Sequence, residues 1–378
     1  MTSSPISSAG LRAALVPALT LALGLMTVGA TLAVAGDTLG YDYLAYDAAG
    51  RRLLAGQPLY DMSFAASGGF GLFYYPPPFI LAVLPFALLP AAIAPWAWIG
   101  ALIITFAAGV ALMPVAREVK WLVALAAVIQ WPFVYALKLG QVGPLLFLLF
   151  VVGWRWLDRP EAVGGSAAAG AIAKIQPALV LVWAAVAGRW RAVVVGAAGI
   201  VAFAVAATVV TGIQAWFDFA ELLRRVSDPI TTEHNFTPGA VAWQMGVDRP
   251  VAAAIQLATT IGVVTWVIVA ARRAPADVGY LSAVIGSQLI SPVLWDHYIM
   301  LTLIPLAWLL ARRQWWAMLA PILVSLPIFT LVPPIVYVAI LVGALVAPWI
   351  VHARVGPAPD VPHASGTSVT WPDRTVAA

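Results

Sequence analysis

AVVVGAAGIVAFAVAATVVTG, residues 192–212, decides the class of this chain. No charge interrupts the run. At about 1.5 Å per residue, a helix of that length crosses the roughly 30 Å of hydrocarbon in a bilayer. The stretch is continuously apolar, whereas a membrane barrel strand alternates apolar and polar residues, so the spanning element is a helix. Working outward, comparable stretches lie near 11–35, 95–113, 121–137, 143–157, 250–271, 278–294, 298–311, 315–332 and 335–352. Two further apolar segments are interrupted. One, 77–90, is short and carries Pro85; the other, 165–187, holds Lys174-Ile175-Gln176-Pro177 at its centre. Irregular backbone at membrane depth persists only where protein or a cavity covers it, so both read as re-entrant or broken segments. The expected fold is all-α, a polytopic transmembrane bundle of about ten to twelve hydrophobic helices. A single transmembrane domain is expected over 1–352, with outer loops at 36–76 and 213–249. A disordered cytoplasmic tail, rich in Pro, Gly, Ser and Thr, is expected over 353–378.

Composition agrees. Of 378 residues, 62% are apolar and 10% charged, which is too little charge to cover a soluble surface. The spacers are too short for a soluble catalytic domain, so chemistry has to be built from loops and helix ends. There is no cysteine, which excludes disulfides, thiol catalysis and thiolate metal sites. The basic residues sit beside spans rather than in a nucleic-acid-binding patch. Arg117/Lys120, Arg155/Arg159, Arg189/Arg191, Arg272/Arg273, Arg312/Arg313 and Arg354 mark cytoplasmic loops. That alternation requires the Lys174 segment to enter and leave on one side. The apolar run at 11–35 is longer than a signal-peptide core and is expected to be an uncleaved first span.

This topology gathers most of the acids outside. The first outer loop reads Asp37-Thr38-Leu39-Gly40-Tyr41-Asp42-Tyr43-Leu44-Ala45-Tyr46-Asp47, and later Gly56-Gln57-Pro58-Leu59-Tyr60-Asp61. Asp42 and Tyr46 share a face if 42–54 is a helix. An Asp at an apolar interface gains basicity and suits a general base; alternatively these acids cap a juxtamembrane helix. Phe73-Tyr74-Tyr75-Pro76-Pro77-Pro78-Phe79 reads as an extended entry that anchors at the headgroups or walls a binding site. Lys138-Leu139-Gly140-Gln141-Val142-Gly143 forms a turn, where Lys138 either neutralises a phosphate or sits among lipid headgroups. Lys174 is an ionisable residue at membrane depth, by default a functional candidate: with Gln176 it lines a cavity, binds a lipid phosphate or pairs with an acid, or else it only snorkels to the interface. Asp296-His297 suits a sugar hydroxyl or a phosphate but lacks the ligand spacing of a metal site. His234-Asn235 adds a polar cluster in the second outer loop. There, Arg224-Arg225 either contact a phosphate or anionic lipid or belong to a solvated amphipathic helix. No Gly-rich nucleotide loop, nucleophile elbow or zincin motif is present.

At these residues the chain resembles glycosyltransferase family 87, of the GT-C class. The resemblance rests on Asp42-Tyr43-Leu44-Ala45-Tyr46-Asp47, Gly56-Gln57-Pro58-Leu59-Tyr60-Asp61, Tyr75-Pro76-Pro77, Gly140-Gln141-Val142, Lys174-Ile175-Gln176-Pro177 and Ser291-Pro292-Val293-Leu294-Trp295-Asp296-His297, in that order, across roughly residues 10–350. Gly143 departs from the pattern, since many members carry Asn there. The resemblance implies a multi-pass enzyme of the cytoplasmic membrane with its active site facing outward. It implies inverting transfer of a hexose, mannose in similar proteins, from a polyprenyl-phosphate sugar donor to a lipid or glycan acceptor. Asp42 is then the base and Asp37 its alternate. Lys174, Lys138 and His297 contact the donor phosphate, while Tyr46, Gln141, Gln176 and Asp296 position substrate. Neither metal nor cofactor is implied.

Two other classes fit part of the pattern. Broken helices and a membrane-depth Lys also suit a transporter or flippase, although no internal repeat divides the chain into matching halves. A non-catalytic envelope-assembly protein is the third reading.

Overall fold

The computed structural model describes residues 8–63, 71–225 and 228–355. Among them every regular element is helical, and the one β contact is an isolated antiparallel bridge between Gln130 and Ser325. Five helices are long and apolar enough to cross a bilayer: Ala14–Val34, Ala94–Leu112, Trp190–Thr211, Arg249–Arg273 and Pro334–Val355. A sixth crossing results if Trp131–Leu139 and Gly143–Arg155, which meet at 116°, form one bent span. Pro77–Ala87, Gln176–Val186 and Asp296–Ala311 are shorter apolar helices. The protein is thus a polytopic helical membrane protein.

The long helices leave large apolar side chains on their outer faces, such as Val194, Val201, Val205 and Val209, as lipid contact requires. Inward they pack through small residues. A Cβ at Gly164 would fall 2.3 Å from the Ala192 carbonyl, so glycine is what lets the Pro160–Ala173 and Trp190–Thr211 helices approach backbone to backbone. The N-terminal span docks at mid-length, where the Thr27 hydroxyl donates to the Val128 carbonyl at 2.8 Å.

Two expected spans are not single helices. The 121–137 segment ends its first helix at Ile129, extends at Gln130 and restarts as Trp131–Leu139. Pro132 explains the break, because its ring would clash with the carbonyl four residues earlier. The 315–332 segment is a chain of short turns around the Leu319–Leu323 helix, with a hydrogen-bonded turn from Ser325 to Phe329 through Leu326 and Pro327. The breaks satisfy each other: Trp131 N–H donates to the Val324 carbonyl at 2.8 Å, and Leu326 N–H to the Ile129 carbonyl at 3.0 Å. Gln130 is buried, so this irregular backbone is covered by protein.

The interrupted segments behave as the sequence suggests. Residues 77–90 give the short Pro77–Ala87 helix. The 165–187 segment leaves its helix at Lys174, whose backbone is extended, and resumes through a turn at Gln176–Ala178. The last helix runs to Val355, three residues past the expected end; the rest of the expected tail lies outside the described residues.

Candidate active site

Two glycines set the site. The helix Tyr41–Leu54 begins after Gly40, whose φ of 67° turns the chain and whose N–H donates to the Lys138 carbonyl at 2.7 Å. Gly140, φ 71°, ends the Trp131–Leu139 helix in the left-handed region, and its carbonyl accepts the Trp98 indole N–H at 2.7 Å. A Cβ at Gly140 would lie 2.8 Å from that of Tyr43. A glycine is therefore required both by conformation and by contact. Together these close approaches bring the first turn of the outer helix against the 140–142 turn.

Asp42 consequently faces Gln141, whose amide N–H donates to the Asp42 carboxylate. The Gln141 carbonyl oxygen accepts from the Tyr75 hydroxyl at 3.0 Å and the Tyr298 hydroxyl at 2.9 Å. Tyr46 completes the set by donating to the Tyr75 hydroxyl at 2.6 Å. Four motifs from distant parts of the chain thus meet at one glutamine, with both ends of its amide used. Burial pushes the Asp42 carboxyl up to about 6, against the opposing pull of the Gln141 donor and the Lys174 charge.

A cavity of about 700 Å³ opens beside this network. Asp42, Tyr46, Gln141, Lys174, Gln176, Asp296 and His297 all line it. Lys174 places its Nζ 3.8 Å from the centre of the Tyr298 ring. Gln176 donates to the Ser291 hydroxyl at 2.9 Å. Asp296 accepts the Trp131 indole N–H at 2.9 Å on one oxygen and the His297 backbone N–H at 2.8 Å on the other. His297 is 2% exposed, and neither ring nitrogen has a hydrogen-bond partner among the described residues. Apolar wall is supplied by Leu72, Leu139, Ile175, Phe219 and Leu223.

Two expected residues are placed elsewhere. Asp37 sits exposed on the Gly36–Thr38 turn and does not line the cavity. Lys138 lies outside it as well, with its Nζ 5.8 Å from the Tyr135 ring centre. Among the described residues no group of three His, Asp or Glu is placed to hold a metal ion.

Several residues of the cavity wall escape the sequence reading. Trp131, Tyr135 and Phe329 lie inside segments that look like uninterrupted spans. Their only signal is a polar residue two positions before a proline, in Gln130-Trp131-Pro132 and Ser325-Leu326-Pro327. Asn235, from the polar cluster expected in the second outer loop, does not itself line the cavity. Its side chain is completely buried, donates to the Pro229 and Pro292 carbonyls at 2.8 and 3.0 Å, and accepts the Thr237 and Leu294 N–H groups at 3.0 and 2.9 Å. It ties the second outer loop to the segment carrying Asp296 and His297. A Cβ at Gly143 would meet the Met300 sulfur at 2.9 Å, so a side chain there requires Met300 to shift.

The model of glycosyltransferase family 87 matches residues 73–292. No curated protein and no solved structure matches the chain. The matched segment contains the Gln141 turn, the Lys174–Gln176 break and Ser291; Asp42, Tyr46, Asp296 and His297 fall outside it. With more than half its length matched, and with the apolar helices of a multi-pass membrane protein, the chain belongs to glycosyltransferase family 87.

Proposed function

We propose that this protein is an inverting glycosyltransferase of the cytoplasmic membrane. It moves a hexose, mannose by family resemblance, from a polyprenyl-phosphate donor to a hydroxyl of a lipid or glycan acceptor at the outer face. The observation that carries the reading is the pairing of Asp42 with Lys174 across one largely apolar cavity, with His297 beside them, neither of whose ring nitrogens is hydrogen-bonded among the described residues. Beyond the cytoplasm no nucleotide sugar is available, so an activated sugar has to arrive on a lipid. The apolar wall suits a polyprenyl chain. The cationic corner suits its phosphate.

Asp42 takes the proton of the acceptor hydroxyl as that oxygen attacks the anomeric carbon. The bond from the anomeric carbon to the phosphate oxygen breaks, and its electron pair leaves with the phosphate. The phosphate gains one negative charge in this step, and Lys174 stabilises it. The His297 ring supplies a hydrogen bond from an N–H that none of the described residues accepts. One displacement inverts the anomeric centre. Gln141 holds the Asp42 carboxylate in place, and Tyr46 and Gln176 steady the wall around it. Asp42 is preferred to Asp37 as the base because only Asp42 lines the cavity.

The test is incubation of the purified protein with polyprenyl-phosphate-mannose and cell-envelope lipids, read by product mass. The expected result is a hexose-extended lipid or glycan formed by the wild type and lost with Asp42→Asn. Undiminished transfer by Asp42→Asn would remove Asp42 as the base, and no transfer by the wild type would remove the reading.

A further inference from the structure

The helix Ala94–Leu112 runs from the cavity toward the other side of the bilayer. Near its start the Trp98 indole donates to the Gly140 carbonyl, beside the Gln141 turn. From Trp98 to Leu112, at about 1.5 Å per residue, the helix covers roughly 20 Å. It ends on the side whose basic loops are expected to be cytoplasmic. Two cations close over that end. Lys120, from the Arg117–Ile129 helix, donates to the Ala111 carbonyl. Arg155, at the end of the Gly143–Arg155 helix, donates to the Leu112 carbonyl at 3.2 Å. The two carbonyls belong to neighbouring residues, so two charges from different helices meet at one spot.

Simpler reasons account for less than this. Orientation in a membrane needs basic residues near span ends, wherever their side chains point. A helix C-terminus attracts a cation, but its dipole amounts to about half a negative charge, so two cations leave an excess of about 1.5 positive charges. On the same side Arg189 meets Asp158 and Arg312 meets Asp277, whereas neither Lys120 nor Arg155 forms an ion pair among the described residues. Burial and the Arg155 charge hold the Lys120 ammonium below its usual range. The Arg155 Nε is shut off from solvent and has no hydrogen-bond partner among the described residues, with the Trp156 ring centre 5.5 Å from the guanidinium carbon. Both cations are half-buried and Ala111 beside them is exposed, so the corner is open from outside.

One negative charge is what this corner lacks. A phosphodiester carries one, on two free oxygens that can bridge an ammonium and a guanidinium through charge-assisted hydrogen bonds. The position selects what carries the phosphate. The corner lies at the end of a membrane span, at headgroup level, and Ile104, Ala107 and Ala111 are exposed along the helix that leads to it. An acyl chain joined to the phosphate lies down that apolar face, as for lipids held in basic pockets between spans. We propose that Lys120 and Arg155 bind the phosphodiester of an anionic phospholipid from the leaflet opposite the cavity. The bound lipid neutralises the two cations and fixes the end of the helix whose start holds the Gly140 turn. It is neither donor nor acceptor of a sugar, and the site stands whether or not the protein transfers one.

The test is native mass spectrometry of the full chain released from nanodiscs of equal parts phosphatidylglycerol and phosphatidylcholine. Wild type is expected to keep phosphatidylglycerol in preference to phosphatidylcholine. Lys120→Gln and Arg155→Gln should each lower the retained phosphatidylglycerol about fivefold, the worth of one basic residue at a lipid surface, and Lys120→Arg should retain it. Arg272→Gln/Arg273→Gln removes an exposed basic pair at the end of the Arg249–Arg273 helix and should change retention less than about twofold. Equal retention of the two lipids by wild type would overturn the site without recourse to any variant. A loss from the Arg272/Arg273 pair as large as that from Lys120→Gln would do the same, because a basic face would then attract lipid without a site. Full displacement of the lipid by millimolar inorganic phosphate would overturn the lipid assignment and make the ligand a soluble phosphate.

Discussion

The two walls of the cavity are built on opposite terms. On the Asp42 wall, the polar groups are matched within the protein: Gln141 gives its N–H to Asp42 and receives the Tyr75 and Tyr298 hydroxyls, while Tyr46 donates to Tyr75. On the Lys174 wall they are left open. Among the described residues Lys174 makes no hydrogen bond and meets the face of Tyr298, and neither nitrogen of the buried His297 is hydrogen-bonded, although Nδ1 lies 3.7 Å from an Asp296 carboxylate oxygen. A buried polar group without a partner costs about 1–3 kcal/mol, so a fold that leaves such groups around one cavity is arranged for a ligand that supplies what is missing. The first wall holds a carboxylate in a fixed direction; the second waits for an anion.

This contrast is broken most severely by removing the held carboxylate. Asp42→Asn keeps the shape and should lower transfer about 10²–10⁴-fold, the usual worth of a general base, with polyprenyl phosphate affinity unchanged. Lys174→Met strikes the open wall. It should cost about 10²–10³-fold in transfer, and here donor affinity should fall as well, because the same charge meets the phosphate in the bound and transition states. If Asp42→Asn weakened donor binding and Lys174→Met did not, the assignments of the two walls would be exchanged. The pH profile sharpens the point. Asp42 works as a base only when ionised, and its carboxyl is raised to about 6, chiefly by burial. Transfer per donor, measured as kcat/KM, should rise tenfold per pH unit up to about 6 and then level. A profile still flat down to pH 5 would contradict this.

The two walls also differ in how far a reader of the sequence can foresee them. Helical class and membrane insertion follow from uninterrupted apolar runs, because the bilayer imposes one length and one element. Asp42, Gln141 and Lys174 are legible for a related reason: each is a polar residue at a glycine turn or inside an apolar segment, where it is costly and therefore informative. What cannot be seen is pairing. Gln130-Trp131-Pro132 and Ser325-Leu326-Pro327 each look like a minor irregularity in a span. Only the fold shows that each break caps the other and that Trp131 and Phe329 stack as a result. The tyrosine network is similar, since nothing local to Tyr75 or Tyr298 reveals that both hydroxyls reach the same amide. Asp37 shows the reverse case. Its spacing from the span is as suitable as that of Asp42, but the positive φ at Gly40 starts the helix after it and leaves it in solvent.

The finest adjustment is on the matched wall. Tyr75→Phe removes one of the two close hydroxyl donors to the Gln141 carbonyl and the acceptor of the Tyr46 hydroxyl. Tyr298 still holds Gln141 at 2.9 Å, and Tyr46 has a longer contact to the same oxygen at 3.4 Å, so the amide keeps its orientation. The loss should be that of a single hydrogen bond, about 1 kcal/mol or roughly fivefold in kcat, with KM for the donor unchanged. Tyr298→Phe touches both walls at once, because the Tyr298 ring also lies under Lys174. It keeps that ring and loses only the hydroxyl, so it should match Tyr75→Phe in size. A much larger effect of Tyr298→Phe than of Tyr75→Phe, seen in the same transfer assay, would mean that the Tyr298 hydroxyl is needed on the Lys174 side, and that the matched and the open wall are one unit rather than two.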